Sequence, residues 1–440
     1  MNTKHLYIHT FGCQMNVRDS EQIAALVNTC GYKRTQDVRK ADVIIINTCS
    51  IREKAAQKVF SQLGRFKFLK SEKEHLILAL GGCLAQQMGR RLLEKAPYLD
   101  LIFGTHNIHR LPEFIGTIEK TGLKIVETEF CDSVKSMGIP APPEQGSVCA
   151  YVTIMQGCNN FCSFCVVPYL RGREESRLAK DIIDEIKMLA EYGVKEVTLL
   201  GQNVNSYGKG LSNGSNFPDL LRKISKISGI KRTRFTTSHP KDLSEELIRC
   251  YMELEPLCEH IHLPVQSGSD IILKKMNRGY THSEYMQKIE KLRKVCPNIS
   301  ISSDVIVGFP GETDGDFRET INLMEKVRFD SLFSFKYSER VGTAAVNFAQ
   351  KIPEAVKEER LKAVQFLQDK HTLERNRAME GKVEEVLVEK ISKKCKSDIM
   401  GRTRSNKIVN IAGNSGLIGE MVPVLIKQAY LHSLRGDLRQ

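Results

Sequence analysis

Three cysteines fall within eight residues in GCNNFCSFC: Cys158, Cys162 and Cys165, spaced C-x3-C-x2-C. Thiolates this close can ligate three irons of a 4Fe-4S cube and leave the fourth iron open to a substrate or cofactor. A zinc site or a chance grouping of structural cysteines are the alternatives. Structural zinc prefers four ligands, and no fourth Cys or His follows closely. Three more cysteines stand singly, each where a short apolar run ends: FGC at Cys13, NTC at Cys49 and GGC at Cys83. Thiols so placed can converge at one sheet edge, or pack singly as small hydrophobes. The chain has 13 cysteines, an odd number for disulfide pairing, and in a reducing compartment Cys serves metals and catalysis.

Short strands must position these thiols. LYIHTF (6–11), DVIIIN (42–47) and HLILAL (75–80) are separated by helical spacing, the pattern of an open parallel α/β sheet with crossover helices. A Pro- and Gly-containing stretch then reads as a connector. Beyond it, apolar runs AYVTIM, KEVTLL, RTRFTT, HIHLPV, ISSDVIVG and SLFSFKY alternate with helical segments. Six βα repeats predict a partial (β/α)6 TIM-like barrel with its site at the strand C-termini. After a helix through KEERLKAVQFLQDKHTLERNRA, short alternating runs punctuated by Gly predict a small β-barrel. The expected boundaries are 1–118, a linker over 119–145, 146–376 and 377–440.

With 440 residues, 41% hydrophobic and 27% charged, the chain is neither disordered nor collagen-like. No apolar run reaches the ~18 residues of a membrane span. The start, MNTKHLYIHTFGC, lacks a signal-peptide pattern, so a cytoplasmic protein is expected; it is also expected to be a monomer. A net charge of +13 favours a polyanionic partner. From 378 to 440 there are 11 Lys/Arg against 7 Asp/Glu, and basic β-modules of this size are common nucleic-acid appendages.

The longer run GCNNFCSFCVVPYLRGREESR, with the three strand-end cysteines and the terminal β-module, resembles the methylthiotransferases of the radical S-adenosylmethionine superfamily over nearly the whole chain. FGCQMNVRDSE, NTCSIREKA and GTHNIHRLP are similar to the branch that acts on tRNA. The resemblance implies that Cys158, Cys162 and Cys165 hold a catalytic 4Fe-4S cluster that binds and reductively cleaves S-adenosylmethionine. It also implies that Cys13, Cys49 and Cys83 hold a second 4Fe-4S cluster that delivers sulfur, and that the last module is a TRAM domain. Replacing an aromatic C–H by C–S is beyond any ionisable side chain at neutral pH, which fits radical chemistry. The implied substrate is N(6)-dimethylallyladenosine at position 37 of tRNA, in the anticodon loop, methylthiolated at carbon 2. An electron donor and a sulfur source must come from outside the chain. The alternatives are threonylcarbamoyladenosine in tRNA, a ribosomal protein, or a non-catalytic iron–sulfur sensor.

By the same resemblance Gln202, Asn203, Ser238, Gln266, Ser267, Asp304 and Gly308, all near strand ends, line the S-adenosylmethionine site, though Ser and Gly there are also ordinary turn residues. His239, His260 and His262 read as acids or ligands, or as satisfied core histidines. Lys393, Lys394, Arg402, Arg404 and Lys407 are expected to contact RNA phosphates, against a solvated face. Arg171 and Arg173, beside the cysteine loop, would meet the substrate or a neighbouring domain.

Overall fold

The computed structural model describes residues 3–49, 53–131, 135–212, 214–393 and 395–439. It divides into two compact units: 1–143, 151–159 and 166–181 in the smaller, and 144–150, 160–165 and 182–440 in the larger.

The smaller unit is built on six strands, β1 (Lys4–Thr10), β2 (Tyr32–Arg34), β3 (Val43–Thr48), β4 (Ile77–Gly82), β5 (Leu101–Phe103) and β6 (Ile125–Glu127). They form one parallel sheet ordered β2-β1-β3-β4-β5-β6. The continuous apolar run of β3 follows from burial on both faces. Val43 and Ile45 pack with Ile23, Val27, Phe114 and Ile118 on one side, and Ile44 and Ile46 pack with Val59, Leu63 and Phe66 on the other. The first group draws on the helices Gln14–Asn28 (α1) and Leu111–Thr121, and the second on Glu53–Glu72. The order reverses between β1 and β3, and ligands of open parallel sheets bind beyond the strand ends at such a switch point.

The stretch 119–145, expected as a connector, carries a strand and packs on α1. Its residues 125–127 are β6, and the Gln22 amide donates to the carbonyls of Met137 and Ile139 at 3.4 and 3.3 Å. A three-residue edge strand needs only one neighbour, so it leaves almost no periodicity in the sequence.

The strand β7 (Cys149–Thr153), beside β10 (Glu196–Leu200), begins in the larger unit and runs into the smaller, where β8 (Met155–Gln156) pairs antiparallel with β9 (Glu175–Ser176). The larger unit carries β10 and β11 (Arg232–Phe235) as a parallel pair. It also carries β12 (His260–His262), β13 (Ser300–Val307) and β14 (Ser331–Lys336), all parallel. Thr233 of β11 bridges to Leu257 just before β12, so the strands follow chain order as a curled parallel sheet. Helices between them are capped as their sequences dictate, with Ser244, Ser269, Thr281 and Thr313 side chains accepting from the first turn.

The same unit ends in a closed barrel of β15 (Val383–Ile391), β16 (Asp398–Thr403), β17 (Ile408–Ala412), β18 (Met421–Ala429) and β19 (Leu434–Leu438). Val386, Val388, Ile399, Val409, Ile411, Val424, Ile426 and Leu434 fill it. The barrel is fastened to the sheet by buried arginines. Arg232 donates to the carbonyls of Arg402 (2.7 Å) and Glu385 (2.9 Å), and Arg234 to those of Thr403 and Arg404 (2.7 Å each). No helix among the described residues is long and apolar enough to cross a membrane.

Candidate functional site

Cys13, Cys49 and Cys83 follow β1, β3 and β4, the central neighbours of the smaller unit's sheet, and therefore share its carboxyl edge. Two glycines permit the approach. A Cβ on Gly12 (φ +142°) would lie 2.6 Å from the Cys49 Cβ, and one on Gly82 (φ +88°) 2.4 Å from the Thr48 carbonyl oxygen. A polar knot ties the strand ends together. The Asn16 amide donates to Asn47 Oδ1 and the Thr48 carbonyl at 3.2 Å each, Asn47 donates to the Asn16 carbonyl at 2.9 Å, and the Thr48 hydroxyl to the Gly81 carbonyl at 2.7 Å.

Cys13 caps α1, where the helix dipole favours an anion. Its thiol is held down to about 6, chiefly by a hydrogen bond with Cys49, against burial, with the Arg171 charge and the Asn16 backbone N–H adding to the effect. Burial pushes the Cys83 thiol up, opposed by the charge and a hydrogen bond of Arg171. Arg171 is itself buried and pairs with Asp19 through Nη2 at 2.6 Å. Its short helix, Val167–Arg171, packs Val166 and Leu170 against Cys83. Thr105 donates to the Leu170 carbonyl at 2.7 Å, and His106 Nε2 lies 3.1 Å from that of Arg171. GTHNIHR thus serves the cysteine edge by fixing that helix. Among the described residues no three His, Cys, Asp or Glu close up as ligands of a single ion. The thiols, of the type that binds iron–sulfur clusters, instead line an edge with a buried cation beside them.

The loop with Cys158, Cys162 and Cys165 follows β8, and the chain passes between units within it, Cys158 in the smaller and the other two in the larger. In the smaller unit the Cys158 N–H donates to the Gly172 carbonyl at 3.3 Å. In the larger, the Cys165 N–H donates to the Cys162 carbonyl at 2.9 Å. The Ser163 N–H and hydroxyl bind the Met276 and Lys275 carbonyls at 3.0 and 2.8 Å. Asn277 reaches the carbonyls of Asn160 and Phe161 at 3.1 Å each. Arg278, buried, donates from Nη1 to the Cys162 sulfur at 3.3 Å and from Nη2 to the Pro264 carbonyl at 2.7 Å. The guanidinium thus fixes the position of the Cys162 sulfur. The sequence reading missed Arg278; NRG after a helix carries no metal signature.

At the strand ends of the larger unit lie buried polar atoms without partners among the described residues: Asn203 Oδ1, Asn205 Oδ1, Ser238 Oγ, His239 Nε2 and Gln266 Oε1. So many unmatched groups at one rim are costly unless a ligand completes them. Thr237 and Gln266 hold positive φ (+67° and +73°), strain of the kind found at ligand clamps. Asn203 gives its amide to Asp242 at 2.7 Å. His239 accepts the Lys241 N–H at Nδ1 (3.2 Å), and burial together with Arg278 and nearby lysines pushes its pKa down to about 2, so it is neutral with the proton on Nε2.

Of the other residues singled out in the sequence, Gln202 is half-buried beside Asn203. Ser267 turns inward to Thr320 (3.3 Å) and accepts the Ser269 N–H at 3.2 Å. The Gly308 N–H is taken by Glu312 at 2.7 Å. Asp304 faces His262 Nε2 at 3.4 Å, and His262 and His260 both reach the Ser302 hydroxyl, at 3.0 and 3.3 Å. Beside Asp304 in register is Phe333, 52% exposed, its ring 6.0 Å from that of His262. Phe335 lies two residues on, and this exposed aromatic pair was not singled out in the sequence.

The basic residues of the terminal barrel divide. Arg404 forks onto Glu259 at 2.8 and 2.9 Å and reaches the Glu255 and Leu257 carbonyls, and Lys407 meets Asp330 at 3.2 Å. Arg402 pairs with Glu389 at 3.1 Å. Of the residues expected to contact phosphates, Arg402, Arg404 and Lys407 are thus paired with carboxylates inside the unit. Lys393 is exposed. Lys394 lies outside the described residues.

Comparisons with known proteins accord with this geometry. Residues 152–324 match the radical SAM superfamily, residues 5–104 the uncharacterized protein family UPF0004, and residues 377–438 the TRAM domain. The radical S-adenosylmethionine methyltransferase TsrM from Kitasatospora setae shares the fold with a TM-score of 0.54 at 13% identity, over 75% of this chain and 72% of that one. A three-cysteine loop opening such an α/β core defines a radical S-adenosylmethionine enzyme, a class that works with a 4Fe-4S cluster and S-adenosylmethionine. A relative in Syntrophus aciditrophicus is 64% identical over 438 residues, 100% of this chain and 95% of the relative; one in Geobacter sulfurreducens is 51% identical over 436, 99% and 97%. Both are tRNA-2-methylthio-N(6)-dimethylallyladenosine synthases, and the chain belongs to that family.

Proposed function

We propose that the chain adds a methylthio group to carbon 2 of N(6)-dimethylallyladenosine at position 37 of tRNA, with 4Fe-4S clusters on both cysteine trios and S-adenosylmethionine at the strand-end rim. The observation that carries this reading is 64% identity along the full chain with a relative of that name. When bound, the clusters and S-adenosylmethionine supply the one-electron chemistry that an aromatic C–H requires.

The chain's own residues hold and orient. Arg278 orients the Cys162 sulfur through a hydrogen bond from Nη1. Asn203, Asn205 and Gln266 offer carbonyl oxygens and neutral His239 offers an N–H, a set suited to the amino, hydroxyl and ring-nitrogen groups of a nucleoside. Phe333 gives a base splayed from a loop a face to stack on, with Asp304 and His262 beside it to meet its polar edge. The TRAM domain supplies exposed basic groups such as Lys393 for the RNA backbone.

The test is mass spectrometry of nucleosides from the tRNA of a strain lacking the chain, complemented with the intact protein or with Cys158→Ala. The 2-methylthio nucleoside disappears from the deletion strain, its unthiolated precursor accumulates, and only the intact chain restores it. An unchanged nucleoside profile overturns the substrate assignment.

A further inference from the structure

The smaller unit buries a cation beside its three thiols. Arg171 is 3% exposed; its neighbour Leu170 packs on Cys83, and its partner Asp19 lies on α1, the helix that Cys13 caps. Asp19, also buried, pairs with the Arg171 charge through Nη2. Nη1 is fully buried with no hydrogen-bond partner among the described residues. A guanidinium donor left unmatched in the interior costs free energy, so such a group marks a place where another acceptor belongs. The surroundings also immobilise it: Thr105 and His106 hold the last carbonyls of its helix, and Leu170 packs on Cys83.

We propose that Arg171 is the hydrogen-bonding and charge-balancing partner of the iron–sulfur cluster carried by Cys13, Cys49 and Cys83, with Asp19 setting how much of its charge the cluster feels. This rests on the reading that this trio carries a cluster. Three thiolates and the sulfides of a cluster would concentrate negative charge at this edge, where Cys49 and Cys83 are buried and Cys13 is exposed. Hydrogen bonds to sulfur and nearby charge are the protein's main means of setting a cluster's potential. Arg171 favours the more negative, reduced state, and Asp19 opposes it.

The test uses full-length protein with Cys158, Cys162 and Cys165 all replaced by Ala, reconstituted anaerobically, so that only the amino-terminal trio can be loaded. Iron and sulfide per chain are measured first, then the midpoint potential by titration followed by electron paramagnetic resonance. Arg171→Gln shifts the midpoint to more negative values, by a tenfold change in the oxidised-to-reduced ratio or more, about 59 mV for one electron. Arg171→Lys recovers part of the shift, and Asp19→Asn moves the midpoint the opposite way.

If Arg171→Gln does not fold or load, the Asp19→Asn measurement decides alone. Midpoints unchanged in correctly loaded variants overturn the inference and leave Arg171–Asp19 a structural ion pair. A triple-Ala parent that binds no iron overturns the second-cluster reading beneath it, an outcome visible before any Arg171 variant is made.

Discussion

Cys158, Cys162 and Cys165 lie on one loop of eight residues, whereas Cys13, Cys49 and Cys83 come from the ends of three strands. The first arrangement is encoded by spacing and steadied by short-range bonds such as that from the Cys165 N–H to the Cys162 carbonyl. The second exists only when a six-stranded sheet has formed, its glycines have let the strand ends close up, and Asn16 and Asn47 have locked them. Strand-end sites sit on a rigid scaffold, but they inherit every error of that scaffold. The loop, too, draws on distant partners, Lys275, Met276, Asn277 and Arg278.

The comparison breaks most sharply on cysteine variants. Cys162→Ala and Cys49→Ala are both expected to reduce methylthiolation to background. Cys162→Ala is also expected to end the formation of 5′-deoxyadenosine from S-adenosylmethionine under dithionite and Cys49→Ala to preserve it; chromatography of the quenched reaction distinguishes them. Loss of cleavage in both would mean that the trios are not separable. Backbone change comes next. Gly82→Ala forces a Cβ to 2.4 Å from the Thr48 carbonyl at φ +88°, a strain of about 1–3 kcal/mol, and displaces the neighbouring Cys83. Ser163→Ala in the loop gives up one hydrogen bond to Lys275, about 1 kcal/mol. Urea unfolding with iron analysis should show Gly82→Ala both less stable and poorer in iron, and Ser163→Ala near the parent.

The same contrast governs what could be read from the chain alone. The C-x3-C-x2-C loop was legible because its signal is local, and β3 and β4 because β-branched and Leu-rich runs buried on both faces leave a strong mark. β2, β5 and β6 were not named, since three-residue strands have no period to detect. Arg171 was noticed only as a charge beside a motif; Asp19, its partner, lies 152 residues away, and no pattern links them. Of the seven residues suggested for the cofactor rim, Asn203, Ser238 and Gln266 carry unmatched buried atoms, while Ser267 and Gly308 hold internal bonds. Residue type at a strand end does not say which way a side chain turns.

Phe333 extends the comparison into the larger unit. Its exposure beside Asp304 fits a stacking face for a base, so Phe333→Ala is expected to raise KM for tRNA about tenfold, within the ~1–3 kcal/mol of base–aromatic stacking. Cleavage of S-adenosylmethionine without tRNA should stay at the parent rate. A fall in both would assign Phe333 to the fold.

The smallest effect separates charge that fastens from charge that recognises. Arg404 and Lys393 contribute equally to the sequence's basic balance, yet Arg404 is bound to Glu259 and two carbonyls while Lys393 faces solvent. Neutralising one phosphate contact lowers the slope of log affinity against log salt by about one. Lys393→Ala is therefore expected to reduce that slope for tRNA by about one without altering unfolding. Arg404→Ala is expected to leave the slope alone and to lower the urea midpoint, because Glu259 loses its partner. Filter binding across a salt series, beside urea unfolding of the same variants, reads both quantities. A slope change in Arg404→Ala would mean that the guanidinium exchanges Glu259 for a phosphate when RNA arrives, and that the fastening of the barrel is itself part of recognition.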